Sequence, residues 1–73
     1  MLLTEISKGQ KARIIRVRES VFRDKLMEMG CIPGAEVGLL LKAPFGDPVA
    51  YDLDGYCLSM RKKEAQMIEV ELI

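Results

Sequence analysis

Two cysteines, Cys31 and Cys57, and no histidine make up the nucleophile and soft-ligand inventory of this 73-residue chain. A ferrous or zinc site needs converging Cys, His or carboxylate ligands, and neither cysteine belongs to a close pair such as C-x-x-C. Cys31 and Cys57 are therefore the only weak candidates for a divalent transition metal, and the residues assign neither a metal site nor a cofactor. Cys57 also shares its strand face with Ser59 and Arg61, and a cation is a poor companion for a metal. Two packed, reduced thiols are the simpler reading. Without histidine, the usual general base near neutral pH and the usual activator of a Ser or Cys nucleophile are both missing. Asp52, Asp54, Glu69 and Glu71 alternate along strands and face water, and the glycines stand singly at turns rather than in a phosphate-cradling loop. The residue types point away from an enzyme.

Eleven basic and eleven acidic side chains cancel, so no net field draws nucleic acid or an anionic lipid surface. Arg13, Arg16, Arg18, Arg23 and Lys25 form one basic group and Arg61-Lys62-Lys63 another. Tyr51 and Tyr56 are expected to pack inward instead of offering a stacking platform, so both groups read as solvated faces. No nucleic-acid partner is expected.

The elements that must position these residues are short. From Lys11 to Arg18 a β-branched strand places Ala12 and Ile14 on one face but Ile15 and Val17 on the other, which predicts a bulge near Ile14-Ile15. Ahead of it, Leu3 and Ile6 suggest one helical turn, with Thr4 as a possible cap, laid over a barrel end. Ser20 offers an N-cap to a helix of about ten residues whose apolar face is Phe22, Leu26 and Met29, ended by Gly30, with Met27 beside the stripe. Pro33-Gly34 fits a type II turn. In Glu36–Ala43 the residues Val37, Leu39 and Leu41 share a face and Leu40 opposes them, so this strand is either buried on both sides or leaves an apolar side chain outside. Beyond the rigid loop Pro44-Phe45-Gly46-Asp47-Pro48, Val49, Tyr51 and Leu53 alternate; Asp54-Gly55 turns a hairpin, and Tyr56, Leu58 and Met60 alternate back. Arg61 to Gln66 allows one tight helical turn before Ile68, Val70 and Leu72 close the set.

Five strands with one short inserted α-helix describe a mainly β chain, a small SH3-like barrel occupying 1-73 as one domain. A chain of this size buries only about 60% of its unfolded surface, and such a core rarely supplies more than ~3–5 kcal/mol of net stability. With 49% apolar and 30% charged residues, it is too hydrophobic for a disordered tail and too interrupted for a membrane span. Its N-terminus meets Glu5 before any signal-peptide core develops, so a cytoplasmic location is expected.

The run MGCIPGAEV from Met29, then APFGDPVAY, then DGYCLSMRKKEA, preceded by the helix ending at Gly30, resembles the FeoA family of cytoplasmic proteins that accompany the membrane ferrous iron transporter. The structural turn residues of that resemblance are Gly30, Pro33, Gly34, Asp54 and Gly55. It implies a non-catalytic accessory or regulatory protein of ferrous iron uptake, whose partner is the membrane transporter with a cytoplasmic GTP-binding domain. The residues themselves offer surplus apolar groups: Met27, Leu41 and Phe45, rimmed by Arg23, Lys25 and Lys42, either complete a thin core or form a docking patch for a partner or a second copy of the chain. The alternative is a metal-sensing or transcription-regulatory module, since the barrel also resembles the C-terminal domain of iron-dependent repressors. That function needs a DNA-binding domain, which residues Met1 to Ile73 are not expected to supply.

Overall fold

A computed structural model describes residues 1–73 and turns the β-branched and aromatic runs into β1 (Lys11–Val17), β2 (Glu36–Lys42), β3 (Val49–Leu53), β4 (Tyr56–Met60) and β5 (Ile68–Leu72). Helix α1 (Arg23–Glu28) lies between β1 and β2, and α2 (Lys62–Ala65) between β4 and β5. All pairings are antiparallel, in the order β4-β3-β2-β1-β5. The sheet curls around one cluster of sixteen buried residues as an SH3-like barrel, the mainly β fold expected of the sequence.

Two irregularities decide which side chains face out. In β1 the register against β5 shifts between Ile14 and Arg16. The extra residue lets Ala12, Ile14 and Val17 all point inward and leaves Ile15 exposed, which is the bulge predicted from the broken alternation. A second shift falls in β2 between Leu39 and Leu41. It was not visible in the spacing, and it corrects the expected face: Val37 is buried, Leu39 packs partly against the core, and Leu41 is turned out to 64% exposure with Leu40 beside it. A one-residue slip reverses every later side chain, so the end of β2 is apolar and outside.

The helix is shorter than its sequence pattern. Ser20 Oγ accepts the Phe22 N–H at 3.2 Å, so Ser20 caps a turn rather than the helix, and Phe22 takes the N-cap position. At the other end Gly30, at φ +104°, closes a Schellman motif: its N–H donates to Met27 O at 3.1 Å and the Cys31 N–H donates to Leu26 O at 3.0 Å. Leu26 and Cys31 are both buried and meet in the core. Pro33-Gly34 forms the expected turn, with Ala35 N–H on Ile32 O at 3.1 Å and Gly34 at φ +94°. Asp54 and Gly55, both at positive φ, turn the β3–β4 hairpin as a type I′ pair.

At the open edge of β5 the chain start supplies cover. Met1 exchanges backbone hydrogen bonds with Val70, and Leu2 bridges Glu69. A 3₁₀ turn over Leu3–Glu5 then buries Leu3 and Ile6 across the barrel end. Leu2 precedes this turn and no side-chain hydroxyl caps it; the Glu5 carboxylate accepts the Leu2 N–H instead, so Thr4 does not have the capping role expected.

Candidate docking surface

The side chains with chemical potential are dispersed. Cys31 is buried beneath the helix end and burial pushes its thiol up to about 11, whereas Cys57 is exposed on β4. No cluster of three or more His, Cys, Asp or Glu residues stands close enough to hold a metal ion.

The carboxylates serve turns and ion pairs. Asp52 Oδ1 accepts the Gly55 N–H at 3.0 Å and Asp54 Oδ1 accepts the Glu36 N–H at 3.1 Å, fixing the hairpin and the start of β2. Glu69 receives the Nε–H of Arg18 at 2.8 Å and of Arg16 at 2.9 Å, and these two bonds hold its carboxyl below the usual value. Arg13 pairs with Glu36, and Lys25 lies 3.9 Å from Glu64. The first basic group is thus largely occupied within the domain, in keeping with a solvated face. Tyr51 is buried as expected. Tyr56 is not: the residue is 48% exposed, and its hydroxyl donates to Met29 O, the carbonyl at the end of α1.

The apolar patch expected of Arg23, Met27, Leu41 and Phe45 is split. Met27 is half-buried and packs against the core, and Arg23 donates its Nε–H to Val17 O at 3.2 Å, so both are engaged in seating α1. Leu41 and Phe45 remain outside. Phe45 stands at the tip of a loop closed by Gly46 N–H on Ala43 O at 2.7 Å and Ala43 N–H on Pro48 O at 3.0 Å, and it is 97% exposed. Around Leu41 the bulged end of β2 and the segment after the 3₁₀ turn enclose a groove of about 330 Å³, lined by Ile6, Lys8, Leu39, Leu40, Leu41 and Lys42. Ile6 and Lys8 were not candidates from the sequence. Their contribution depends on the first residues folding across the barrel, a contact that local patterning does not encode.

Comparison with known proteins gives a consistent family. Residues 1–72 match the FeoA domain. Over 74 residues the chain is 42% identical to a Porphyromonas gingivalis fusion of Fe(2+) transport protein A with the Fe(2+) transporter FeoB, covering all of this chain but only 9% of that protein. The solution structure of a FeoA-like protein from Clostridium acetobutylicum superposes with a TM-score of 0.92 at 43% identity, covering 100% of this chain and 86% of that one. A manganese-dependent transcriptional repressor contains the same fold at a TM-score of 0.90, over 100% of this chain and 36% of its own; at 16% identity the likeness is one of fold alone.

Proposed function

The chain belongs to the FeoA family, and from that premise we propose that it is a non-catalytic accessory protein of ferrous iron transport that docks on the membrane transporter and tunes it. The observation that carries this reading is the fusion: a 42% identical relative holds such a domain in one polypeptide with the transporter FeoB. Covalent linkage keeps two modules at high effective concentration, an arrangement suited to modules that work in contact. The transporter's cytoplasmic GTP-binding domain is the partner in this reading, and the cytoplasm is the place of action. No helix of the chain is long and apolar enough to cross a membrane. The repressor reading has only a shared fold behind it.

Leu41 and Phe45 are the side chains we assign to docking. Large apolar groups this exposed on a 73-residue domain are suitable anchors, because covering them removes apolar surface from water without disturbing the core. Binding of the purified GTP-binding domain to wild-type protein, measured by calorimetry, tests the reading. Leu41→Asp and Phe45→Asp should each weaken it by about 2 kcal/mol, some 30-fold, with the melting temperature nearly unchanged. Absence of binding by the wild type, or full binding by both variants, rejects it.

A further inference from the structure

β2 carries a stretch of backbone that no strand covers. Its pairing with β1 runs only from Lys11↔Gly38 to Arg13↔Glu36, so on that side Leu39–Lys42 have no neighbour in the ladder. The segment preceding β1 does not extend it in this direction but turns away: Gln10 N–H donates to Ser7 O at 3.1 Å, Ser7 N–H donates to Gln10 Oε1 at 2.7 Å, and Gly9 takes φ +92°. No backbone hydrogen bond joins Ser7–Gln10 to β2. The gap left between them is the groove described above, with apolar Leu39, Leu40, Leu41 and Ile6 on its walls. Unpaired strand edges beside an apolar cleft are the geometry of strand addition, in which main-chain hydrogen bonds give affinity and alternate side-chain pockets give selectivity.

Charge selects the occupant. Lys8 and Lys42 stand on opposite walls, neither takes part in any of the five ion pairs of the domain, and no carboxylate lines the groove. Two unpaired ammonium groups flanking apolar walls favour an extended segment that alternates apolar and acidic side chains, and disfavour a basic one.

We infer that the Leu39–Lys42 edge of β2 and the facing Ile6–Lys8 segment form a strand-addition site for an extended, acidic and apolar peptide segment of a partner protein. The inference rests on the proposed docking role and specifies how it is done, but the site is defined by its own geometry.

The test uses the whole chain and a fluorescein-labelled peptide, Asp-Val-Asp-Leu-Asp-Ile, with two controls: Lys-Val-Lys-Leu-Lys-Ile, and the acidic peptide N-methylated at alternate residues. Fluorescence anisotropy should show saturable binding of the acidic peptide, at least tenfold weaker binding of the N-methylated form because it cannot complete the ladder, and at least tenfold weaker binding of the lysine form. The double variant Lys8→Glu, Lys42→Glu should reverse the charge preference, while circular dichroism verifies that it is folded. In amide NMR spectra the acidic peptide should shift and protect Leu39 to Lys42 and shift Ile6 to Lys8. Equal binding of the N-methylated peptide, unchanged charge preference in the double variant, or shifts confined to other strands overturns the inference. The transporter's GTP-binding domain separates the two readings. If it binds wild type and the double variant alike, docking stands and this site fails; if it does not bind while the acidic peptide occupies the groove, the site stands and the docking reading fails.

Discussion

Replacing Gly30 by Ala should be far more damaging than the same change at Gly34, although both glycines sit at positive φ and both end turns. At Gly34 a Cβ would meet nothing within 4 Å, so the cost is backbone strain alone, about 1–2 kcal/mol. At Gly30 the Cβ would lie 2.6 Å from Tyr56 Oη and 3.3 Å from Leu53 Cδ2. Leu53 is locked in the core, so the tyrosine must give way, and its hydroxyl then loses Met29 O, the carbonyl at the helix end. Adding about 1 kcal/mol for that hydrogen bond brings the expected loss to about 2–3 kcal/mol. A domain this small gives up roughly 4–8 °C of melting temperature per kcal/mol, so Gly30→Ala should melt more than 10 °C below wild type and Gly34→Ala only about half as far. Thermal and urea denaturation followed by circular dichroism measures both. A double-mutant cycle isolates the cause: in a Tyr56→Phe background the hydroxyl is already absent, and Gly30→Ala should cost at least 0.5 kcal/mol less than it does alone. Equal losses at the two glycines, or no relief from Tyr56→Phe, would refute the steric reasoning.

Other outcomes follow from the buried and paired groups. Under native conditions at pH 8, Ellman's reagent should titrate one thiol per chain, the exposed Cys57, with Cys31 reacting only in denaturant; two rapid equivalents would contradict its burial. The Glu69 carboxyl should titrate below the ordinary glutamate value by NMR, and Arg18→Gln and Arg16→Gln should each raise its midpoint. Because the folded state lowers the pKa of this carboxyl, the stability it confers is present above the ordinary glutamate range and is lost as pH falls through the folded value; wild type and Arg18→Gln should therefore converge in stability at low pH, and a constant gap would count against it. Titration with ferrous iron under anaerobic conditions should show no tight stoichiometric site, and one abolished by Cys31→Ser or Cys57→Ser would revive the metal-sensing alternative.

Turn chemistry was the most legible part of the sequence. Pro33-Gly34 and Asp54-Gly55 each demand a backbone geometry that few residues adopt, and each is found as read. The β1 bulge was legible because Ile14 and Ile15 cannot both follow a period of two and be buried. The β2 bulge was hidden because Leu39, Leu40 and Leu41 are all apolar, so every register satisfies the pattern and only pairing with β3 selects one. For Met27, a residue just off a helix stripe can be drawn in by whatever the helix packs against, which a wheel does not show. The groove was the least legible, since it joins Ile6 and Lys8 to Leu39–Lys42 through space rather than along the chain.

The ladder between β1 and β5 has a kinetic consequence. It joins Arg16 to Glu69 across 53 positions, and the opening residues of the chain pair with that same last strand. During synthesis at ~5–20 residues per second, β1 must wait roughly 3–10 s for its partner to be made. For about the second half of that interval the Leu39-Leu40-Leu41 run is already made and lacks the finished barrel, an apolar segment of the kind that seeds association between nascent chains. Lys42 and the proline-bounded loop directly after it act as gatekeepers on that run. The lysine that flanks the finished groove therefore also guards the unfinished chain.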